Sequence, residues 1–139
     1  MSLRREALLF SIGGVLGFVV DAGIVQALVS GLAWDPYLAR VVSFLAAATV
    51  TWLWNRSVTF AHRRLHGARS EWLRWMAVMS LGAAINYGIY AALVAWFPLV
   101  RQWPWLGVAA GSAAAALVNF CAARSVVFPH AENSSQGID

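Results

Sequence analysis

Seven side chains stand out because their chemistry does not suit their surroundings. Asp21, Thr51, Asn55, Arg56, Asn86, Asn119 and Arg124 are polar or charged, yet each lies within or at the end of a long apolar run. A carboxylate near the centre of an apolar span is costly unless it is paired. Asp21 therefore reads either as a group that takes a proton or binds a polar headgroup, or as a structural acid hydrogen-bonded to Asn86 or to a helix neighbour. Arg56 and Arg124 carry the planar fork that grips phosphate. Their other reading is that of interfacial anchors that meet lipid phosphates generally and set orientation. Each has a polar companion upstream: Thr51 and Asn55 before Arg56, Asn119 before Arg124. Those amides are either ligand contacts or interhelical hydrogen bonds, and packing is the commoner use.

Other chemistries find little support. His62 and His66 are four apart, a metal-binding spacing on a helix, but no third ligand lies near them and a solvated loop is the expected setting. The sequence has no Gly-rich phosphate loop, no Ser-His-Asp arrangement and no carboxylate pair, so no catalytic site, metal or cofactor is expected. The single cysteine, Cys121, cannot form an internal disulfide and reads as a small packing residue.

The elements that must position these residues are set by composition. Of 139 residues, 60% are apolar and 12% charged, a balance that does not describe the surface of a soluble domain. The apolar residues form blocks at 7–32, 37–60, 72–98 and 103–128, each long enough to cross a bilayer, which takes about 20 helical residues. None has the polar stripe a soluble four-helix bundle would need. The first block follows Arg4 and Arg5 like a signal peptide, but it outruns an h-region and is expected to be retained. Arg40 and Arg56, the arginines at the two ends of the second block, are about 24 Å apart along a helix against a hydrocarbon core of about 30 Å. Both must snorkel or find a partner.

All ten basic residues are arginine, and their positions explain the net charge of +4 better than a nucleic-acid footprint does. Arg4, Arg5, Arg56, Arg63, Arg64, Arg69, Arg74 and Arg124 lie at the ends that share a side with the N-terminus; Arg40 and Arg101 lie opposite. That bias puts both termini and the central loop in the cytoplasm. Trp34, Trp96, Trp103 and Trp105 form an outer aromatic belt, and Trp52, Trp54, Trp72 and Trp75 an inner one. Trp34-Asp35-Pro36-Tyr37 is expected to end the first helix and residues 98–104 to make the other outer turn. The second span is expected from near Arg40 to near Phe60. Residues 61–71 read as a polar link, and the tail 129–139 as a disordered segment.

The spans also repeat. Arg56-Ser57-Val58-Thr59-Phe60 returns as Arg124-Ser125-Val126-Val127-Phe128, 68 positions on. Gly17-x-x-x-Asp21-x-Gly23 matches Gly82-x-x-x-Asn86-x-Gly88 at an offset of 65, with Glu6 falling on Glu71. Ala39, Ser43, Ala47, Thr51 and Asn55 align with Gly107, Gly111, Ala115, Asn119 and Ala123, all small or short and polar. The expectation is an all-α integral membrane protein of four transmembrane helices. These form a single transmembrane domain of two tandem parallel hairpins, repeat 1 at about 7–60 and repeat 2 at about 72–128. A pseudo-two-fold axis along the membrane normal would bring Asp21 and Asn86 face to face.

The endings N-R-S-V-T-F at 55–60 and A-R-S-V-V-F at 123–128, with Gly14-x-x-Gly17-x-x-x-Asp21 early on, resemble the GtrA-like family of small four-span membrane proteins. The likeness covers about residues 7–128. The family's usual amide pair before the arginine is split here, with Asn55 kept in the first copy and Asn119 in the second. The resemblance implies a bacterial inner-membrane protein that translocates polyprenyl-phosphate-linked sugars for cell-surface polysaccharide or glycan synthesis. Asp21, Thr51, Asn86 and Asn119 would pass the sugar, while Arg56 and Arg124 receive the phosphate; Asn55 is a further expected substrate-binding residue. It also implies contact with membrane lipids and with a partner glycosyltransferase; the narrow seam of one chain points to a homo-oligomer. Two alternatives are a non-transporting scaffold for a glycosyltransferase and a proton-coupled small-molecule exporter with Asp21 as the exchanging acid.

Overall fold

The structure, a computed structural model, describes residues 1–63, 67–103 and 105–130, only the backbone being described at positions 36, 37, 40, 101, 105, 107 and 108. Every element among the described residues is helical. α1 spans Leu3–Gln26 and closes in a π-turn, Ala27–Gly31. α2, Pro36–Trp54, runs into a second π-turn, Asn55–Thr59, and a 3₁₀ turn, Ala61–Arg63. α3 is Ala68–Trp96, α4 the short Pro98–Gln102, and α5 Trp105–Ala122, which closes in a third π-turn, Ala123–Val127. Among the described residues, three stretches are long and apolar enough to cross a membrane: Leu3–Gly31, Ala68–Trp96 and Ala109–Val127. α2, of 19 residues, is a fourth long helix. The architecture is that of an all-α, multi-pass membrane protein.

Local chemistry sets the helix ends. Ser2 caps α1 by accepting a hydrogen bond from the Arg5 amide at 3.4 Å, and Glu6 in the first turn suits the positive end of the helix dipole. Pro36 does not end the first helix, as expected from the sequence, but begins the second. Asp35 accepts the Leu38 amide on Oδ1 at 3.0 Å and the Ala39 amide on its carbonyl at 2.9 Å. A proline in the first turn gives up a donor that has no partner there anyway. Pro98 opens α4 in the same way, so the outer turn at 98–104 contains a helix. Residues 61–71 are not simply a polar link either: Arg63 and Glu71 are buried, and α3 already starts at Ala68. Residues 64–66 and 131–139, hence His66 and most of the polar tail, lie outside the described residues.

The chain packs as two compact units, one formed by Met1–Trp72 with the chain from Phe128, the other by Leu73–Val127. In the first, α1 and α2 run antiparallel with their backbones close together. A Cβ on Gly13 would lie 2.6 Å from Cδ1 of Trp54, and one on Gly17 would collide with the γ-methyl of Thr51. The facing strip of α2, Ala39, Ser43, Ala47, Thr51 and Asn55, is buried throughout. Lipid tails are as apolar as leucine, so such helices associate by close backbone approach rather than by the hydrophobic effect. Where the chain leaves α2, Phe60 stacks on Phe128 with centroids 4.9 Å apart and rings 19° from parallel. Both rings are buried.

In the second unit the same device recurs with different side chains. A Cβ on Gly82 would collide with the amide of Asn119, and one on Gly111 would lie 2.6 Å from the backbone oxygen of Asn86. Ala115 and Ala123 are buried, whereas Cys121 is exposed and does not pack as expected. The tryptophans also divide differently from two like belts. Trp34, Trp96 and Trp103 are exposed, but Trp52 and Trp75 are buried. The Trp54 indole donates to the Leu9 carbonyl at 2.9 Å and the Trp72 indole to Thr49 Oγ1 at 3.1 Å. These inner indoles tie helices together, because an N–H in an apolar setting needs an acceptor.

Backbone approach at the glycines makes a sharp prediction. Gly111→Ala and Gly17→Ala will each lower stability in detergent by about 1–3 kcal/mol, the usual cost of overpacking. Gly14→Ala, where an added Cβ meets nothing within 4 Å, will be neutral or slightly stabilising. Thermal unfolding of the three variants against wild type measures the contrast.

Candidate functional site

The polar residues singled out above occupy two kinds of place. Some are spent on helix packing, and others cluster where α1, α2 and α3 begin or end. Thr51 belongs to the first kind. Its hydroxyl donates to the Ala48 carbonyl at 2.9 Å and its methyl fills the notch at Gly17, so both ends of the side chain are in use. Asn119 faces Gly82, its Nδ2 4.0 Å from Met79 Sδ, while its Oδ1 is buried without a hydrogen-bond partner. Asn86 packs on Gly111 and its Nδ2 reaches Ser112 Oγ at 3.4 Å. It also lines a shallow open groove with Ala83, Tyr87 and Tyr90, of which Tyr87 is 74% exposed. Asp21 sits half-buried on α1, one turn beyond Gly17.

The second kind starts from Asn55, where α2 gives way to a π-turn. Its Nδ2 donates back to the Thr51 carbonyl at 2.8 Å, and the Phe60 amide reaches its carbonyl at 2.7 Å, five residues back. The extra residue re-aims the side chains that follow, a use to which π-turns at functional sites are often put. Arg56, the next residue, turns to Glu71: Nη1 lies 2.6 Å from Oε1. Trp52, one helical turn before Arg56, holds both partners. Its indole donates to the same Oε1 at 3.0 Å, and its ring lies 5.7 Å beneath the guanidinium. Glu71 is fully buried, whereas the Arg56 side chain keeps 20% of its surface. Three acceptor atoms in this stretch are buried without a hydrogen-bond partner: Asn55 Oδ1, Thr59 Oγ1 and Glu71 Oε2.

A second ion pair lies in the same unit. Glu6, also fully buried, receives Arg63 Nη2 on Oε1 at 2.6 Å, and His62 Nε2 lies 3.2 Å from the same oxygen. Arg63 Nη1 further donates to the Phe128 carbonyl at 3.5 Å. With 1% exposure the Arg63 side chain is sealed in. The two pairs thus have different chemistry available to them. Glu6–Arg63 is closed and ties the chain end to α1; Glu71–Arg56 presents a cation to its surroundings.

The structure brings Thr51, Asn55 and Arg56 together with Trp52 and Glu71 in the first unit, and Asn86 and Asn119 onto the facing sides of α3 and α5 in the second. Arg124 is half-buried in the closing π-turn of α5, at the position equivalent to Arg56 in its own turn. Sequence reasoning missed Glu6, Glu71, Trp52 and Arg63. The signal was present, since Glu6 and Glu71 match at an offset of 65 and each is the fourth residue of its helix. His62 is exposed, in a 3₁₀ turn, and its Nε2 also meets the Glu6 carboxylate. Among the described residues no group of three or more His, Cys, Asp or Glu side chains could hold a metal ion.

A family model described as GtrA/DPMS, transmembrane domain, matches residues 9–133, nearly the whole chain. No curated protein matches.

Breaking the sealed pair tests its structural role. Glu6→Gln leaves the Arg63 guanidinium buried against a neutral amide, and removing one partner of a buried pair costs about 3–5 kcal/mol. The expected result is a large fall in Tm in detergent; an unchanged Tm would mean that the pair holds nothing together.

Proposed function

The chain belongs to the GtrA/DPMS transmembrane-domain family, and on that footing we propose that it moves polyprenyl-phosphate-linked sugars across the bacterial cytoplasmic membrane for cell-surface polysaccharide or glycan synthesis. Family membership ties it to the handling of such lipids. The observation that carries the finer reading is Arg56. The Arg56 side chain, 20% exposed, stands at the end of an apolar helix pair, with its guanidinium over a tryptophan ring and its direction set by a π-turn. That is what a phosphate arriving at the edge of a bilayer requires, since a planar fork engages two phosphate oxygens at once. The isoprenoid tail stays among lipid chains. Within the second unit, Asn86 and the exposed Tyr87 are the polar groups offered to the sugar; Asp21 is such a group in the first.

Matching turns and glycine contacts in the two halves of the chain support the same reading. Asn55–Thr59 and Ala123–Val127 are both π-turns, 68 positions apart, and each carries an arginine as its second residue. Gly17 with Thr51 and Gly82 with Asn119 are equivalent positions that pack in the same way. In this reading α2 is the fourth span and each hairpin begins on the cytoplasmic side. Its partners are a glycosyltransferase and a second copy of the chain.

One observation favours a second reading, a non-transporting scaffold for a glycosyltransferase. Thr51 and Asn119 are engaged against glycines in the helix seams, where they serve packing. The two readings part under mutation in proteoliposomes loaded with a labelled polyprenyl-phosphate sugar. Translocation predicts that Asp21→Asn and Arg124→Ala slow transfer at least tenfold while the protein remains folded. A wild type that moves nothing yet still retains the glycosyltransferase would establish the scaffold instead.

A further inference from the structure

The Glu71–Arg56 pair has a feature that its sealed counterpart lacks. Glu71 meets the guanidinium through Oε1 alone, and that oxygen also accepts the Trp52 indole. Its second oxygen, Oε2, is buried without a hydrogen bond. An arginine–carboxylate pair is strongest when two parallel N–H···O bonds form, and a buried oxygen left without a donor raises the cost of the paired state. The pair is therefore held together but short of its best geometry. The carboxylate is fixed in the interior, whereas the Arg56 side chain keeps 20% of its surface.

We propose that Glu71 is the resident counter-ion of Arg56, occupying the guanidinium until the lipid phosphate takes it, and so a positioning residue that sets how tightly the phosphate is held and how readily it leaves. This rests on the reading that Arg56 receives the phosphate. Three observations carry it. The phosphate of a polyprenyl phosphate carries more oxygens and more charge than a carboxylate, so it competes with Glu71 for the guanidinium. Trp52 stabilises both states: its ring stays under the guanidinium, and its indole N–H keeps a bond to Glu71 when the arginine turns away. Finally, the equivalent carboxylate, Glu6, grips an arginine that is 1% exposed, so burial of a first-turn glutamate with an arginine does not by itself create an exchangeable cation.

The consequence is a competition with opposite signs at two neighbouring residues. Glu71→Gln removes the competing anion, so a phosphate binds more tightly and leaves more slowly. Trp52→Phe keeps the ring but deletes the indole donor. Glu71 then depends more on Arg56, and phosphate binds less well. Loss of structure cannot produce both results, because damage weakens binding in each variant.

Binding of a fluorescent polyprenyl monophosphate to the full chain in detergent micelles reads this directly, with Tm measured on each sample. The expected result is about tenfold tighter binding by Glu71→Gln and several-fold weaker binding by Trp52→Phe, against a wild type whose binding is lost in Arg56→Gln. Equal or weaker binding by folded Glu71→Gln overturns the competition while leaving the phosphate-receiving role of Arg56 intact. Should that variant not fold, Trp52→Phe decides: weaker binding supports the proposal and unchanged binding overturns it. If wild type and Arg56→Gln bind the lipid phosphate equally, or neither binds it, the receiving role fails and takes this proposal with it.

Discussion

Two fully buried carboxylates impose the central constraint on this molecule. Glu6 and Glu71 each stand fourth in a long apolar helix, fully buried, where an unpaired charge would cost several kcal/mol. Each therefore needs a cation, and the chain supplies one from the segment that follows α2: Arg63 for Glu6, Arg56 for Glu71. Those bonds dictate where α2 must end and how it turns. The π-turn at Asn55–Thr59 aims Arg56 at Glu71, the 3₁₀ turn at Ala61–Arg63 delivers Arg63 to Glu6, and Phe60 between them stacks on Phe128. The polar chemistry at this end of the protein is thus inseparable from its helix packing. One pair is closed and the other open, and only the open one has a cation to offer a ligand.

Much of the fold could be read from the chain because membrane helices obey few rules. Long apolar blocks announced the spans, and three of them stand out in the structure by length and composition alone. The strip of five small or short residues spaced four apart, Ala39 to Asn55, announced the face of α2 that would be buried, since only small side chains let two backbones meet without a hydrophobic drive. Pro36 was read in the wrong direction. A proline both ends and begins helices, and the deciding element was the capping side chain of Asp35, not the proline. The inner tryptophans were assigned to the membrane interface by type, but an indole N–H can equally serve as a helix tie when a carbonyl or carboxylate lies within reach.

The candidate site was legible in part. Arg56, Asn55 and Thr51 do gather in one place, and Asn86 and Asn119 do lie on facing helices. What spacing could not reveal was how the short polar residues divide their work. Thr51 and Asn119 sit opposite glycines and fill the notches left by them, so their polarity accompanies a packing role. Glu71 escaped notice for the opposite reason. It lies outside the apolar spans in a stretch that looks like a solvated link, and only the fold shows that Glu71 itself is buried. A repeated residue with no evident role, as Glu6 and Glu71 were, is a signal worth weighing even when its chemistry is not apparent from its neighbours.

Family membership and the half-buried Arg56 together make phosphate recognition the centre of this account. The most direct test compares two lipids in proteoliposomes of the wild-type protein: a polyprenyl-phosphate sugar and a neutral prenyl glycoside with the same sugar and chain. The account predicts rapid transfer of the phosphate-bearing lipid and little transfer of the neutral one, with the difference abolished in Arg56→Ala. Equal transfer of both lipids, or transfer that survives loss of Arg56, would contradict it.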